Sequence, residues 1–247
     1  MLASLMMISW ERHDVTKRVL EKSLSNHGLP QSMVELLVCD QGSTDQRVVP
    51  MIEGFRPAYF RRNSGNEGCA HSFNQLYLRS TGEFLVLMGN DIEMPDGWLA
   101  KAVKYLELVP NSGLAAIDWG HSGVPPLSTK CGVEAHFLTP TLNRCFGVTV
   151  FRRSLIEALG FFEECYGPYG IEDSSWNERV NRAGYNSFYV PGLKSRHLVH
   201  DVGERTEYRR MKDESLSRNA AIFSERVRAW DAGASLVEPL PPMREPV

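Results

Sequence analysis

Residues 2–8, 34–39 and 84–88 form short runs of almost unbroken apolar character, and stretches with helical spacing separate and follow them. A strand without a polar face has to be covered on both sides. In α/β proteins the cover is supplied by the helices that carry the chain from one parallel strand to the next. This feature restricts the chain to a mostly parallel, Rossmann-like sheet flanked by helices. It also says where a ligand would sit, because open parallel sheets bind ligands beyond the carboxyl ends of their strands. Asp40 follows the second run directly and Asp91 stands just past the third, so both acids are expected at that edge.

Val15, Val19, Leu20 and Leu24 share a helical face behind Asp14, read as the helix cap, and Gly28 ends that helix. Weaker signals predict a strand over 58–61 and helices over 69–79 and 96–108. Periodicity fades from 111 to 143, which predicts a long loop able to border a second substrate. Beyond it the pattern predicts a strand over 146–152 and helices over 154–159, 172–183 and 207–230. Strands are expected over 185–190 and 195–199, and the Pro-rich tail 238–247 reads as disordered.

Composition narrows the function classes. Lys and Arg number 27 against 30 Asp and Glu, so no global basic field announces a nucleic-acid or membrane partner. The 5 cysteines include no C-x-x-C pair, which argues against a disulfide framework or a closed zinc site and fits a reducing compartment. The run over 2–8 lacks a basic start and leads into Trp10-Glu11-Arg12, the mark of a strand rather than a signal peptide. No stretch approaches the ~20 apolar residues of a membrane span. A cytoplasmic protein is expected, with peripheral membrane contact left open.

Several polar residues have the chemistry of a site, and each has a plainer explanation. Asp40 and Asp45 bracket a turn that Asx-type bonds alone could shape. The loop 61–68 places Arg61, Arg62, Asn66 and Gly68 before a helix, where backbone N–H groups can face a phosphate, or where they merely cap the helix. Asp91 and Glu93 could bind a hard divalent cation through oxygen, or be surface turn residues. Glu172 and Asp173 open a helix, a position that favours acids without any catalysis. His197 and His200 lie on or near a late strand as metal-ligand candidates, although strand histidines are more often packed.

The order of these signals is the informative part. The succession Ser9-Trp10-Glu11-Arg12, then Val38-Cys-Asp40-Gln-Gly-Ser-Thr-Asp45, Asn63-Ser-Gly-Asn66-Glu-Gly68 and Gly89-Asn90-Asp91 with Pro95-Asp-Gly-Trp98, resembles family 2 of the GT-A glycosyltransferases. Gly160-Phe-Phe-Glu-Glu, Gly170-Ile-Glu172-Asp173, Arg179, Ala183-Gly-Tyr185 and Val190-Pro191 through His197 continue in that family's order. The resemblance covers about residues 5–200. It implies a GT-A fold: one domain over 1–237, with a nucleotide-sugar half over 1–110 and an acceptor half over 111–237.

It further implies an inverting transfer from a nucleoside diphosphate sugar, a UDP- or dTDP-sugar being favoured, to an acceptor hydroxyl. Asp40 would read the base, with Ser9, Arg12, Arg62, Asn66, Gly68, Asn90 and Asp91 as further donor contacts. Asp91 matches the last aspartate of the D-x-D motif that holds Mn²⁺ or Mg²⁺, assisted by His197 or His200 and by Glu93. Gly89 stands where the motif's first aspartate belongs. Asp173 matches the general base, and Glu172 would contact acceptor or metal beside it. A glycan, a lipid-linked sugar, a protein and a modified DNA base all remain open as acceptors. Two alternatives stand: a nucleotidyltransferase of similar architecture, and a glycosyltransferase-like binding module without turnover.

Overall fold

The computed structural model describes residues 1–120, 123–138, 147–198 and 206–239, with side chains from 209 onward in the last stretch. Strand β1 (Ala3–Ser9) is buried at every position and runs parallel to β2 (Val34–Asp40) on one side and to β4 (Phe84–Gly89) on the other. Strand β3 (Tyr59–Arg62) extends the parallel set beside β2.

The second half of the chain joins the same sheet. Strand β9 (Val148–Arg152) lies antiparallel to β4, and β6 (Ser112–Asp118) lies antiparallel to β9. Strand β10 (Asn186–Lys194) is parallel to β6, and the hairpin of β7 (Ser128–Lys130) and β8 (Val133–Phe137) closes that side. The described residues thus form a 9-stranded sheet of order β3-β2-β1-β4-β9-β6-β10-β8-β7. A separate two-stranded ribbon pairs β5 (Ile92–Glu93) with β11 (Arg196–His197).

Side chains alternate across a strand, and the two faces of β1 feed two cores. Leu5 and Met7 pack under α1 (His13–Ser25), α2 (Val48–Gly54) and α4 (Trp98–Leu108), together with Val19, Leu20, Val48, Ile52, Trp98 and Leu99. Met6 faces α3 (Cys69–Tyr77), α5 (Arg153–Leu159) and α6 (Glu172–Arg182), in a core with Leu76, Phe151, Leu155, Trp176 and Val180. A fully buried large apolar side chain contributes about 1.5–3 kcal/mol, so a polar residue at Leu5, Met6 or Met7 would break a layer. The long helix α7 (Thr206–Asp231) follows.

Four expectations change. The stretch 111–143, read as a loop, contains β6 in the middle of the sheet and the β7–β8 hairpin; residues 139–146 lie outside the described set. Helix α2 was not anticipated at all. Asp14 does not cap α1: Arg12 occupies that position in a left-handed conformation without a side-chain capping bond, and Asp14 falls in the first turn. The tail begins ordered, since Glu238 forms a parallel bridge with Gly160; residues 240–247 lie outside the described set.

Candidate functional site

The strand register brings the expected residues to one edge. Ser9 pairs with Asp40, Asp40 pairs with Arg62, and Ile8 pairs with Gly89. Just past β1, Glu11 and Arg12 adopt φ of 55° and 58°, a left-handed pair that costs energy for residues with a Cβ and is held only where surroundings impose it. Their side chains serve two parts of the site. The Glu11 carboxylate accepts bonds from the Thr44 N–H at 2.7 Å, its hydroxyl at 2.8 Å and the Asp45 N–H at 3.2 Å. The Arg12 guanidinium donates to Asp91 Oδ2 at 3.0 Å. Adjacent residues thereby tie the turn after β2 to the acid after β4.

Asp40 sits inside that turn. It has no exposed surface, and it accepts bonds from the Ser43 N–H at 2.9 Å and the Ser43 hydroxyl at 2.5 Å. Burial raises its pKa, opposed by the Ser43 bonds and by Arg62. The carboxylate expected to read a base is therefore engaged in shaping the turn. Gln41, unmarked in the sequence, is the hub of the neighbouring loop: its amide donates to Gly68 O and Ser72 Oγ and accepts from Asn63 Nδ2 and the Glu67 N–H. Asn66 is used locally, accepting the Gly68 N–H at 3.0 Å. Arg61 is buried and donates to Asn63, whereas Arg62 is largely exposed and donates to Ser43 O. Ser9 is buried, with its hydroxyl lacking a hydrogen-bond partner.

Asp91 is the meeting point of the second part. His197 Nε2 lies 3.4 Å from the same Oδ2 that Arg12 contacts, and the Leu198 N–H donates to Asp91 O at 2.8 Å. The β5–β11 pairing sets this approach, and Trp119 stacks edge-on to the His197 ring at 4.9 Å. A Cβ on Gly89 would lie 3.2 Å from Asp91 Oδ1, a close contact that a small shift of the Asp91 carboxylate would relieve. Asn90 is directed inward and donates to Thr16 Oγ1 at 2.7 Å, which fixes the end of β4 to α1. Glu93 is taken by Arg18, at 2.5 and 3.1 Å. His200 lies outside the described residues. Among the described residues no three His, Cys, Asp or Glu side chains converge as a complete metal cage.

The third part is the start of α6. Gly167 and Gly170 have φ of 68° and 85°, and Ile171, a β-branched residue, is held at 79°. This bend presents Glu172 and Asp173. Burial, then the Asp173 charge, pushes the Glu172 carboxyl up to about 8, and its Oε2 is buried with no hydrogen-bond partner. A helix N-terminus favours a carboxylate by about 0.3–1 kcal/mol, too little to offset desolvation here. The Cys69 thiol, at the start of α3, is raised well above its usual range, by burial and then by the charges of Glu172, Asp173 and Asp91. The loops also touch: a Cβ on Gly68 would lie 2.2 Å from Gly167 O.

A mixed sheet with a parallel first half, flanked by helices, has the architecture of the GT-A fold. Solved structures of that fold superpose on the chain. A mannosyltransferase from Pyrobaculum calidifontis, in complex with GDP-Man and Mn²⁺, gives a TM-score of 0.66 at 20% identity, over 83% of this chain and 58% of that one. TarS from S. aureus, in complex with UDP, gives 0.63 at 17%, over 78% and 60%. GalNAc-T7, with UDP, GalNAc and Mn²⁺, gives 0.63 at 14%, over 79% and 43%. The chain therefore spans about three fifths or less of the length of these structures. Residues 4–124 match the model of glycosyl transferase family 2. No curated protein matches it significantly.

Proposed function

We propose that the chain is an inverting glycosyltransferase that moves a sugar from a nucleoside diphosphate sugar to an acceptor hydroxyl. The observation that carries this reading is the meeting of two loops at one sheet edge: Glu11 and Asp40 build the turn after β2, Arg12 ties Asp91 to it, and Gly68 packs against Gly167 in the loop that leads to Glu172 and Asp173. Transfer needs a diphosphate neutralised on one side of the anomeric carbon and a hydroxyl deprotonated on the other. In this reading Asp91 serves the first task, and Glu172 and Asp173 the second. The neighbours' complexes with GDP-Man and with UDP make a GDP-sugar or a UDP-sugar a reasonable donor.

Asp91 and His197 form a carboxylate-and-imidazole pair of the kind Mn²⁺ accepts, and cations of this class are held by few protein groups when substrate phosphates complete the shell. A cation held there would neutralise the leaving diphosphate. Arg12 orients Asp91 and adds positive charge, and exposed Arg62 offers a second guanidinium at the nucleotide turn. Asp40 acts through Ser43 as the floor of the nucleoside pocket. On the acceptor side Glu172 keeps its proton at neutral pH, leaving Asp173 to take the proton of the attacking hydroxyl. A glycan, a lipid-linked sugar, a protein or a modified base would each supply such a hydroxyl.

A thermal-shift screen of UDP-, dTDP- and GDP-sugars with and without Mn²⁺ tests the reading, since a ligand bound by the native state raises its stability. Asp91→Ala is expected to remove the Mn²⁺-dependent part of the shift. Asp173→Asn is expected to lower kcat by about 10²–10⁴-fold with donor affinity unchanged. Asn is also a good helix cap, so a near-normal rate in that variant would reduce Asp173 to a structural role. Gly89, which leaves Asp91 without the motif's first acid, favours a second reading, a donor-binding module without turnover. Measurable donor hydrolysis would exclude it.

A further inference from the structure

Three carbonyls of the loop leading into α6 converge on one side chain of α7. The Asn219 amide is completely buried, and the two protons of its Nδ2 group are shared among Tyr166 O at 2.7 Å, Tyr169 O at 2.9 Å and Gly170 O at 2.8 Å. Arg218 fixes its orientation by donating to Asn219 Oδ1 at 3.1 Å, and also donates to Tyr166 O at 2.8 Å. An Asn in the interior of a helix is unfavourable by propensity, and here its donors are spent on another element. The peptide between Tyr169 and Gly170 is the link. Its oxygen is bound by Asn219, as is the next carbonyl, Gly170 O, two residues before Glu172 in the chain. The same loop carries the left-handed Gly167, Gly170 and Ile171, conformations that persist only when surroundings over-determine them.

We propose that Asn219 is a positioning residue for the Glu172–Asp173 pair: by holding the 169–170 peptide and the bend at 171, it aims both carboxyls into the cleft. It rests on the reading of that pair as the acceptor-side acids. Asn219 touches no reacting atom and acts only through the loop. Because Gly167 packs on Gly68, whose carbonyl Gln41 holds, the same clamp sets the distance between acceptor-side and nucleotide-side loops.

The test uses the full chain and two variants, Asn219→Ala and Arg218→Ala. The second removes an exposed side chain and is the safeguard if the first does not fold. Hydrolysis of UDP-GlcNAc and GDP-mannose gives kcat, UDP with Mn²⁺ gives nucleotide affinity, and carbon-detected NMR follows the Glu172 carboxyl. Asn219→Ala is expected to lower kcat by about 10²-fold, as small misplacements of reacting groups do, with UDP affinity within about two-fold. In the folded variant Glu172 is expected to titrate at least about one pH unit lower, because water reaches it. Arg218→Ala is expected to move both in the same direction by less.

If Asn219 merely stabilises the fold, kcat per folded molecule and the Glu172 titration stay at wild-type values, and the proposal fails. When only Arg218→Ala folds, unchanged values in it have the same force. Should the wild type neither bind a nucleotide nor hydrolyse a donor, the proposed function falls. The Glu172 titration then decides the role of Asn219 alone, a shift supporting it and no shift overturning it.

Discussion

Glu172 shows how far one residue's surroundings can alter its chemistry. Its ordinary value is 4.5, and burial with the neighbouring Asp173 carries it to about 8 in the folded chain. A carboxyl raised in this way costs nothing below about pH 4.5, where folded and unfolded chains both hold the proton. It destabilises the fold progressively as pH rises towards 8, where only the folded chain retains it. Glu172→Gln is therefore expected to be more stable than the wild type at pH 8, by an order of 1–3 kcal/mol, and nearly equal at pH 4.5; paired thermal melts would show it. The sequence displayed the two acids but not the burial that raises Glu172. Glu11 was visible as a motif letter, whereas its bonds to Thr44 and Asp45 follow from two left-handed φ angles that no local pattern encodes. Asn219 gave no signal at all, because a polar residue in a polar helix reads as solvent-facing.

At the scale of elements, the apolar runs announced β1, β2 and β4, while β6 and α2 escaped. Strand β6 reads Ser-Gly-Leu-Ala-Ala-Ile-Asp, poor in β-branched residues, because its neighbours leave little room: a Cβ on Gly113 would lie 2.7 Å from Val180 Cγ1 of α6. Helix α2 contains Pro50, which reads as a breaker but sits in the first turn, where its missing N–H has no role to lose. The attachment of α7 is equally invisible in sequence. Arg226 pairs at 2.9 Å with Glu163, which is 2% exposed and also accepts the Ser175 hydroxyl. Arg179, buried behind Trp176, donates to the carbonyls of Leu159, Phe161 and Leu236 and so holds the segment after α7. Arg226→Ala would leave Glu163 buried with one partner fewer. Because Arg226 is itself partly exposed, the expected loss is about 1–2 kcal/mol rather than that of a fully buried pair, measured by urea unfolding.

For the molecule as a whole, the class of fold and the edge at which the candidate residues meet were legible from the apolar runs and the acids after them. The path of the later chain through the sheet was not, since strand order depends on contacts between residues far apart in sequence. Among the described residues no helix is long and apolar enough to cross a membrane. The family match ends at residue 124, but β4 and β6, both inside it, do not touch: β9, from 148–152, lies between them. A fragment cut at the end of the match would carry two raw strand edges with unsatisfied N–H and C=O groups, which invite pairing with other copies. Expressed alone, residues 1–124 are expected to aggregate, as light scattering would record, and adding back 125–239 should restore a monodisperse chain. The matched stretch of this sequence is thus not a mechanical unit, and any attempt to transplant the proposed donor site into another protein has to carry β9 along as the keystone.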